Sequence, residues 1–344
     1  MAYTTITKSS SFMNTVLYTG NDTTNAITGV GFQPDLTWLK RRNGAYSNYL
    51  FDVLRGALYE INSNSNEAST SLANSLTAFD SDGFTLGSEG LTNANNDTFA
   101  SWNWKANGAG SANTDGSINT TSTSANTTAG ISISTYTGTG ANATVGHGLG
   151  VVPKMIFTKV ASDAEDWMVY HEFLGNTTGL RLNGINAQLS ANVAYYNNTS
   201  PTSSVFTVGT HPTTNWSTKT MIAYCFAEVA GYSKFGHYVG NNNADGTFTY
   251  TGFKPSFVII KKTTATDHWV LMDNKRNGYN FKNMLLCPSD NGAAEDGALY
   301  GVDFLSNGFK CRTTDGWTNG NSTYIYMAFG QTLVGTNDVP CTAR

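Results

Sequence analysis

The sequence predicts an all-β protein made of three tandem β-sandwich modules, and three observations carry that expectation. A Gly-x-x-Pro stretch that closes on Lys six residues after the Pro is written three times: Gly31 to Lys40, Gly150 to Lys159 and Gly252 to Lys261. Phe84, Phe206 and Phe309 each lead, 20 residues on, to another aromatic: Trp104, Phe226 and Phe329. Charged residues make up only 13% of the chain, about half the usual share of ~25%. Asn, Ser, Thr and Gly fill the difference, as turn-rich β proteins require.

Each copy opens on a strand that ends in an aromatic and a turn. These are Val16-Leu17-Tyr18-Thr19-Gly20, Ser134-Thr135-Tyr136-Thr137-Gly138 and Gly236-His237-Tyr238-Val239-Gly240. The interval to the repeated Pro is nearly constant, so register is preserved. Pro fixes φ and lacks an N–H, which places it at a strand entrance. The residues after it, Leu-Thr-Trp-Leu, Met-Ile-Phe-Thr and Phe-Val-Ile-Ile, suit strands. The Lys that ends this strand is expected to snorkel, its ammonium reaching solvent at the strand end.

A second aromatic strand follows: Tyr49-Leu50-Phe51, Trp167 to Tyr170 and Trp269 to Met272. Beyond it the copies diverge most, over 55–78, 174–203 and 276–303, which marks variable loops. The closing strands are Thr98 to Trp104, Met221 to Phe226 and Tyr324 to Phe329. Trp102 and Trp104 are two apart and so share a face; the closing strand is expected to lie centrally in its sheet.

The predicted boundaries are 1–107 for the first sandwich, 108–116 for a Gly/Ser/Asn linker, 117–231 for the second, 232–334 for the third and 335–344 for a C-terminal arm. About 100 residues per copy is a sandwich's length and far exceeds a solenoid repeat. Each copy can bury its own core.

The net charge is −4 with no basic run, so no nucleic-acid partner is expected. No apolar run approaches a membrane span and no signal peptide opens the chain, which predicts a protein made in a cytoplasm and not inserted in a membrane. Cys225, Cys287, Cys311 and Cys341 lack CxxC spacing. That argues against zinc, and free thiols are expected ahead of a Cys287–Cys311 pair.

Catalytic candidates fail on their own spacing. Asp52 and Asp273 lie 18 residues after their Pro, but the second copy has His171 there. A common acid or base role is thereby broken, and a strand-end residue facing solvent or a turn N–H is the better reading. His171-Glu172 lacks the second His of a zincin. Asp80-Ser81-Asp82-Gly83 resembles part of a calcium loop, although a tight turn fits it better. No catalytic residue, metal site or cofactor is assigned. Trp216 with Asn215, and Trp317 with Asp315, fall in turn sequences. They either stack on a sugar whose hydroxyls the polar neighbours hold, or pack at an interface, the latter being favoured.

The motifs together resemble a family of tail-fibre-like and virion structural proteins of bacteriophages, many of them marine. The segments that carry the resemblance are Thr135-Tyr136-Thr137-Gly138 with Gly148 to Met155, Ala223 to Glu228 with Gly231 to Gly236, and Val302 to Lys310. The resemblance implies lectin-like, concanavalin-like jelly-roll sandwiches on a virion. No functional residue carries over. The expected function is a non-enzymatic short fibre or decoration protein, a homo-oligomer assembled with other virion proteins that contributes to host attachment. The alternative is a carbohydrate-binding module or adhesin that recognises host surface polysaccharide through its loop aromatics. A polysaccharide hydrolase ranks below both.

Overall fold

The computed structural model describes residues 4–296 and 300–332. Its regular structure is antiparallel sheet apart from short helical turns, the longest of them spanning four residues. The all-β sandwich class stands. No helix among the described residues is long and apolar enough to cross a membrane.

Three successive stretches of chain each form one larger sheet and a smaller sheet against it, and the third adds a two-stranded pair, Met284–Leu285 with Glu295–Asp296. In the first larger sheet the opening strand Met13–Thr19 pairs with the closing strand Thr98–Trp104. That strand pairs in turn with the Pro strand Leu36–Arg41, and then comes the aromatic strand Asn48–Asp52. The second has the same order with Ile131–Thr137, Thr220–Phe226, Met155–Val160 and Met168–His171. The third has it with Ser233–Val239, Thr323–Thr332, Phe253–Lys262 and Trp269–Asp273. The last strand in sequence is thus inserted between the first and the Pro strand in every copy, the central place expected for it.

The smaller sheets cover one face of the larger ones. Gly83–Leu86 lies between Asn25–Ile27 and Leu76–Asp80 in the first copy, Ala143–Gly146 pairs with Val205–Val208 in the second, and Gly308–Cys311 lies between Phe248–Tyr250 and Val302–Leu305 in the third. Side chains alternate along a strand, so the larger sheet serves two cores. Leu39, Tyr49 and Phe51 join Phe84 and Leu86 in a core private to the first repeat. Leu36 and Trp38 point the other way, into a core shared by all three repeats, where they join Trp102 and Trp104, Phe157, Tyr224 and Phe226, Phe257 and Phe329.

At the middle of this shared core the three aromatics that close the 20-residue intervals meet. Ring centroids lie 6.5 Å apart for Trp104 and Phe226, 6.0 Å for Trp104 and Phe329, and 6.2 Å for Phe226 and Phe329. One residue from each repeat thus forms a triangle of edge-on contacts, the geometry aromatic quadrupoles prefer. The repeats close around it as a ring with approximate threefold symmetry.

Two expectations change. The residues read as a linker lie along the second repeat: Ser111 bridges Thr123, and Asn113 N–H donates to Thr120 Oγ1 at 2.8 Å. The repeated Lys does not snorkel. Lys40, Lys159 and Lys261 are all fully buried, because an even spacing from the Pro sets them on the face that lines the shared core. The expected arm at 335–344 and Cys341 lie outside the described residues. Cys225 and Cys311 are buried free thiols, so no bond joins Cys287 to Cys311.

Candidate functional site

The chemistry-bearing side chains of this chain converge on the three seams between repeats, and the seams follow one plan. Each buried Lys donates to a backbone carbonyl of its own repeat and to one in the variable loop of the repeat before it around the ring. Lys159 Nζ reaches Asn66 O at 3.3 Å, Lys261 Nζ reaches Ile185 O at 3.1 Å, and Lys40 Nζ reaches Asn291 O at 3.0 Å. Their own-repeat acceptors include Asp163 O, Asp267 O and Tyr46 O. Burial pushes each of the three ammoniums down to about 8.

Backbone pairing follows the same rotation. Ser69 N–H donates to Ala161 O, Gln188 N–H to Thr263 O and Ala294 N–H to Arg42 O, each at 2.8 Å. Eight positions after each Lys stands a third device. Trp167 Nε1 donates to Asn62 O and Trp269 Nε1 to Arg181 O, both at 2.8 Å. The amide of Asn48, at the same place in the first repeat, donates to Cys287 O at 3.3 Å and Asp290 O at 2.7 Å. Bulky indoles and a small amide thus perform one task.

Asp52, His171 and Asp273 are fully or almost fully buried and do not face solvent. Their turn role is present: Asp52 Oδ1 accepts from the N–H of Leu54 and Arg55, Asp273 Oδ1 from those of Lys275 and Arg276, and His171 Nδ1 from that of Phe173. They also look across the seams. Asp52 Oδ2 takes the Arg55 guanidinium at 2.6 Å and the Tyr224 hydroxyl of the second repeat at 2.7 Å. Asp273 Oδ2 takes Arg276 at 2.5 Å and the Trp102 indole N–H of the first repeat at 3.1 Å. The neighbouring Arg276 charge holds the Asp273 carboxyl below the usual carboxylate range despite its burial. At the seam of the second and third repeats three residues change together. His171 replaces Asp, Leu174 stands where Arg would, and Met327 stands in the third repeat where Trp102 and Tyr224 offer donors. Burial pushes the His171 imidazole down to about 4.

A second plan holds each repeat's outer turn. Asn93, Asn215 and Asn319 are completely buried. Asn215 Nδ2 donates to Ala141 O and Gly209 O at 2.6 and 2.9 Å, while its Oδ1 accepts from Thr139 N–H at 2.7 Å. Asn93 and Asn319 make the matching bonds, to Thr23 O and Gly87 O and to Asn243 O and Thr313 O. The opening-strand tyrosines lock the residue just before: Tyr18 OH donates to Thr92 O, Tyr136 OH to Thr214 O and Tyr238 OH to Thr318 O, at 2.7, 2.6 and 2.6 Å. The turn glycine must be Gly for steric reasons, since a Cβ on Gly138 would lie 2.2 Å from Trp216 O. The Tyr-x-Gly motif and the Thr-Asn pair are two halves of one latch.

The residues expected to touch a glycan or a partner fall as follows. Asn215 is a buried latch residue with no face to solvent. Trp216 is half-buried against its repeat's private core, with the Lys219 ammonium 5.7 Å from its ring. Trp317 is half-buried and stacks on Tyr300 at 4.7 Å. Asp315 accepts from the Trp317 N–H at 2.6 Å, and burial raises its carboxyl. The Asp80–Asp82 turn is held internally, Asp82 accepting from the N–H groups of Gly29 and Gly31, which lower its carboxyl.

A groove of about 380 Å³ opens at the seam of the first two repeats, lined by Arg55, Tyr59, Ser69, Thr121 and Thr135 among others. Its guanidinium is already spent on Asp52 and neighbouring oxygens. Among the described residues one cluster gathers metal-ligand types, His268, Cys287 and Asp290. Sequence reasoning passed over it because it looked for paired cysteines; a Cys-x-x-Asp spacing was the available signal.

A family model of a domain of unknown function, DUF7483, matches residues 8–332, and the chain belongs to that family. No curated protein and no solved structure matches it.

Proposed function

We propose that this member of the DUF7483 family is a non-enzymatic structural component of a bacteriophage particle, a short fibre or decoration protein. The observation that carries the reading is the cyclic use of Lys40, Lys159 and Lys261. The charged groups that would be first choices for acid–base or electrostatic catalysis are consumed in holding backbone carbonyls across three seams. Asp52 and Asp273 are spent in the same way. Buried polar networks of this kind fix one arrangement of neighbouring elements when every member is satisfied.

The ring gives a single chain the outline of a symmetric trimer. Such a body suits a fixed architectural position, with the smaller sheets and their turns directed outward. The resemblance of Thr135 to Gly138, Ala223 to Glu228 and Val302 to Lys310 to virion proteins points to the particle as its place, reached after synthesis in the host cytoplasm. Host attachment through glycans is left with little at the loops first considered, because Asn215 has its amide fully engaged and Trp317 gives a face to Tyr300.

The test is quantitative mass spectrometry of particles purified from infected cells. The protein is expected at a fixed copy number relative to other virion proteins, through repeated density-gradient steps. Recovery only in the soluble lysate, or release of reducing ends from host polysaccharide by the purified chain, overturns the reading.

A further inference from the structure

We infer that His268, Cys287 and Asp290 form a binding site for a zinc-class divalent metal ion, built into the seam where the third repeat meets the first. A ring nitrogen of the imidazole, the thiol sulfur and a carboxylate oxygen all lie within 4.8 Å of one another. Zinc takes this ligand set at bond lengths that place tetrahedral neighbours roughly 3.3–3.8 Å apart. His268 Nδ1 and Asp290 Oδ2 are already 3.2 Å apart. Side-chain rotation about a fixed backbone is all that the remaining closure asks.

That backbone is fixed from the neighbouring repeat. The Asn48 amide holds Cys287 O and Asp290 O, Ser63 Oγ donates to Pro288 O at 2.7 Å, and Asp290 N–H closes the turn on Cys287 O at 3.2 Å. The second oxygen of the carboxylate is occupied by Gly292 N–H at 2.7 Å, which leaves Oδ2 to point at the imidazole. Outer hydrogen bonds that orient ligands in this way are a regular part of metal sites. Cys287 is nearly buried, whereas the side chains of His268 and Asp290 are 27% and 35% exposed. The cluster therefore opens to water on one side, where a fourth ligand would sit.

Comparison of the repeats strengthens the inference. The position of His268 is Ser47 in the first repeat and Asp166 in the second, and the carbonyl-bearing position of Cys287 is Asn62 and Arg181. In the first repeat the socket is neutral, and in the second it holds an Asp166–Arg181 ion pair at 2.9 Å. Only the third repeat fills it with three ligand-type side chains. Asn64 and Asn183, which bond the strand N–H of Asn48 and Trp167, are replaced by the shorter Ser289, which bonds Trp269 N–H. Lys40, donating to Asn291 O beside the cluster, offsets the anionic ligands when no metal is bound.

The experiment uses the full chain, stripped with a chelator under reducing conditions and titrated with Co(II). Binding of one equivalent is expected, with the thiolate-to-cobalt charge-transfer absorption that a Cys ligand produces and with displacement by Zn(II). Cys287→Ser removes that absorption, and His268→Ala weakens binding at least tenfold. If Cys287→Ser does not fold, His268→Ala and Asp290→Asn, at part-exposed positions, decide the matter by the loss of affinity. Absence of saturable binding near one equivalent, or a charge-transfer band and affinity unchanged in these variants, overturns the inference.

Discussion

The ammonium of Lys159 donates at 3.3 Å to the carbonyl of Asn66, a residue 93 positions earlier in the chain and in the neighbouring repeat. The bond belongs to a set of three that closes the ring, and it shares its seam with the Ser69–Ala161 and Trp167–Asn62 bonds. Lys159→Met keeps most of the volume but removes the donor, leaving Val160 O and Asp163 O short of a partner. Unsatisfied buried acceptors cost about 1–3 kcal/mol, so a fall of that size is expected in chemical denaturation at pH 7.

The pH dependence of that same loss is a separate test. Burial holds the folded ammonium near 8, whereas the unfolded side chain titrates near its usual ~10.4. Between these values the unfolded chain binds more protons, so stability rises with pH. Wild type gains from this group over that window and Lys159→Met does not. The gap between the two proteins is therefore expected to widen from pH 8 to pH 10. A constant gap would show that the ammonium is not charged and buried as described.

The Lys was legible as a repeated spacing and misread as a strand-end side chain reaching solvent, whereas it is buried. Parity along the strand places it on the face of Leu36 and Trp38, and the parity of Trp102 and Trp104 was read correctly. What faces that side follows only from how three sheets meet, which no spacing within one repeat encodes. The sandwich class, the central closing strand and the turn role of Asp52 and Asp273 were legible because each depends on residues within one repeat. The latch had a readable signal: Thr92-Asn93 and Thr214-Asn215 stand eleven residues before the triangle aromatics and Thr318-Asn319 ten. It passed unnoticed because Asn in an Asn-rich chain reads as turn material, while its burial comes from the carbonyls converging on it.

Asn215 offers the sharpest test of that latch. Its amide donates to two carbonyls and accepts from one N–H. Asn215→Asp keeps shape and acceptor but puts a carboxylate against two carbonyl oxygens, and Asn215→Ala leaves Gly209 O and Thr139 N–H without their partner while Ala141 O keeps the Thr139 hydroxyl. Both are expected to lower stability by several kcal/mol, on the order of 1–3 kcal/mol per unpaired group. Asp should recover toward Ala or better at low pH, where the protonated acid can donate. Thermal melts from pH 3.5 to 7 would show this crossing.

The Asp52–Tyr224 contact links the first two repeats through one hydroxyl, and Tyr224→Phe removes it while the Arg55 pair remains. A cost of about 1.5–3 kcal/mol is expected for a hydrogen bond to a charged acceptor. Asp52→Asn leaves the Arg55 guanidinium buried beside a neutral partner, and about 3–5 kcal/mol is expected. A double-mutant cycle over Asp52 and Tyr224 should return a coupling free energy well above zero. Additivity of the two changes would mean that the hydroxyl contributes nothing across the seam.

Acid and neutral behaviour are set in opposite senses by two buried groups. His171 is held near 4 when folded, below the ~6.5 of the unfolded chain. Its neutral form therefore contributes stability above pH 6.5 that is lost as pH falls toward 4. Glu60 is the reverse. It is buried in the first repeat with Oε2 lacking a hydrogen-bond partner among the described residues, and burial raises it to about 7. Unfolded, it titrates near ~4.3, so the folded chain binds the extra proton between the two values. The stability from protonated Glu60 is complete below about pH 4.3 and is lost as pH rises through 7. Glu60→Gln, which cannot ionise, is expected to be more stable than wild type by about 1–3 kcal/mol at pH 8 and no more stable at pH 4. Denaturation midpoints of the two proteins at those pH values check this, and a Gln variant no more stable at pH 8 would mean that the carboxylate finds compensation when it ionises.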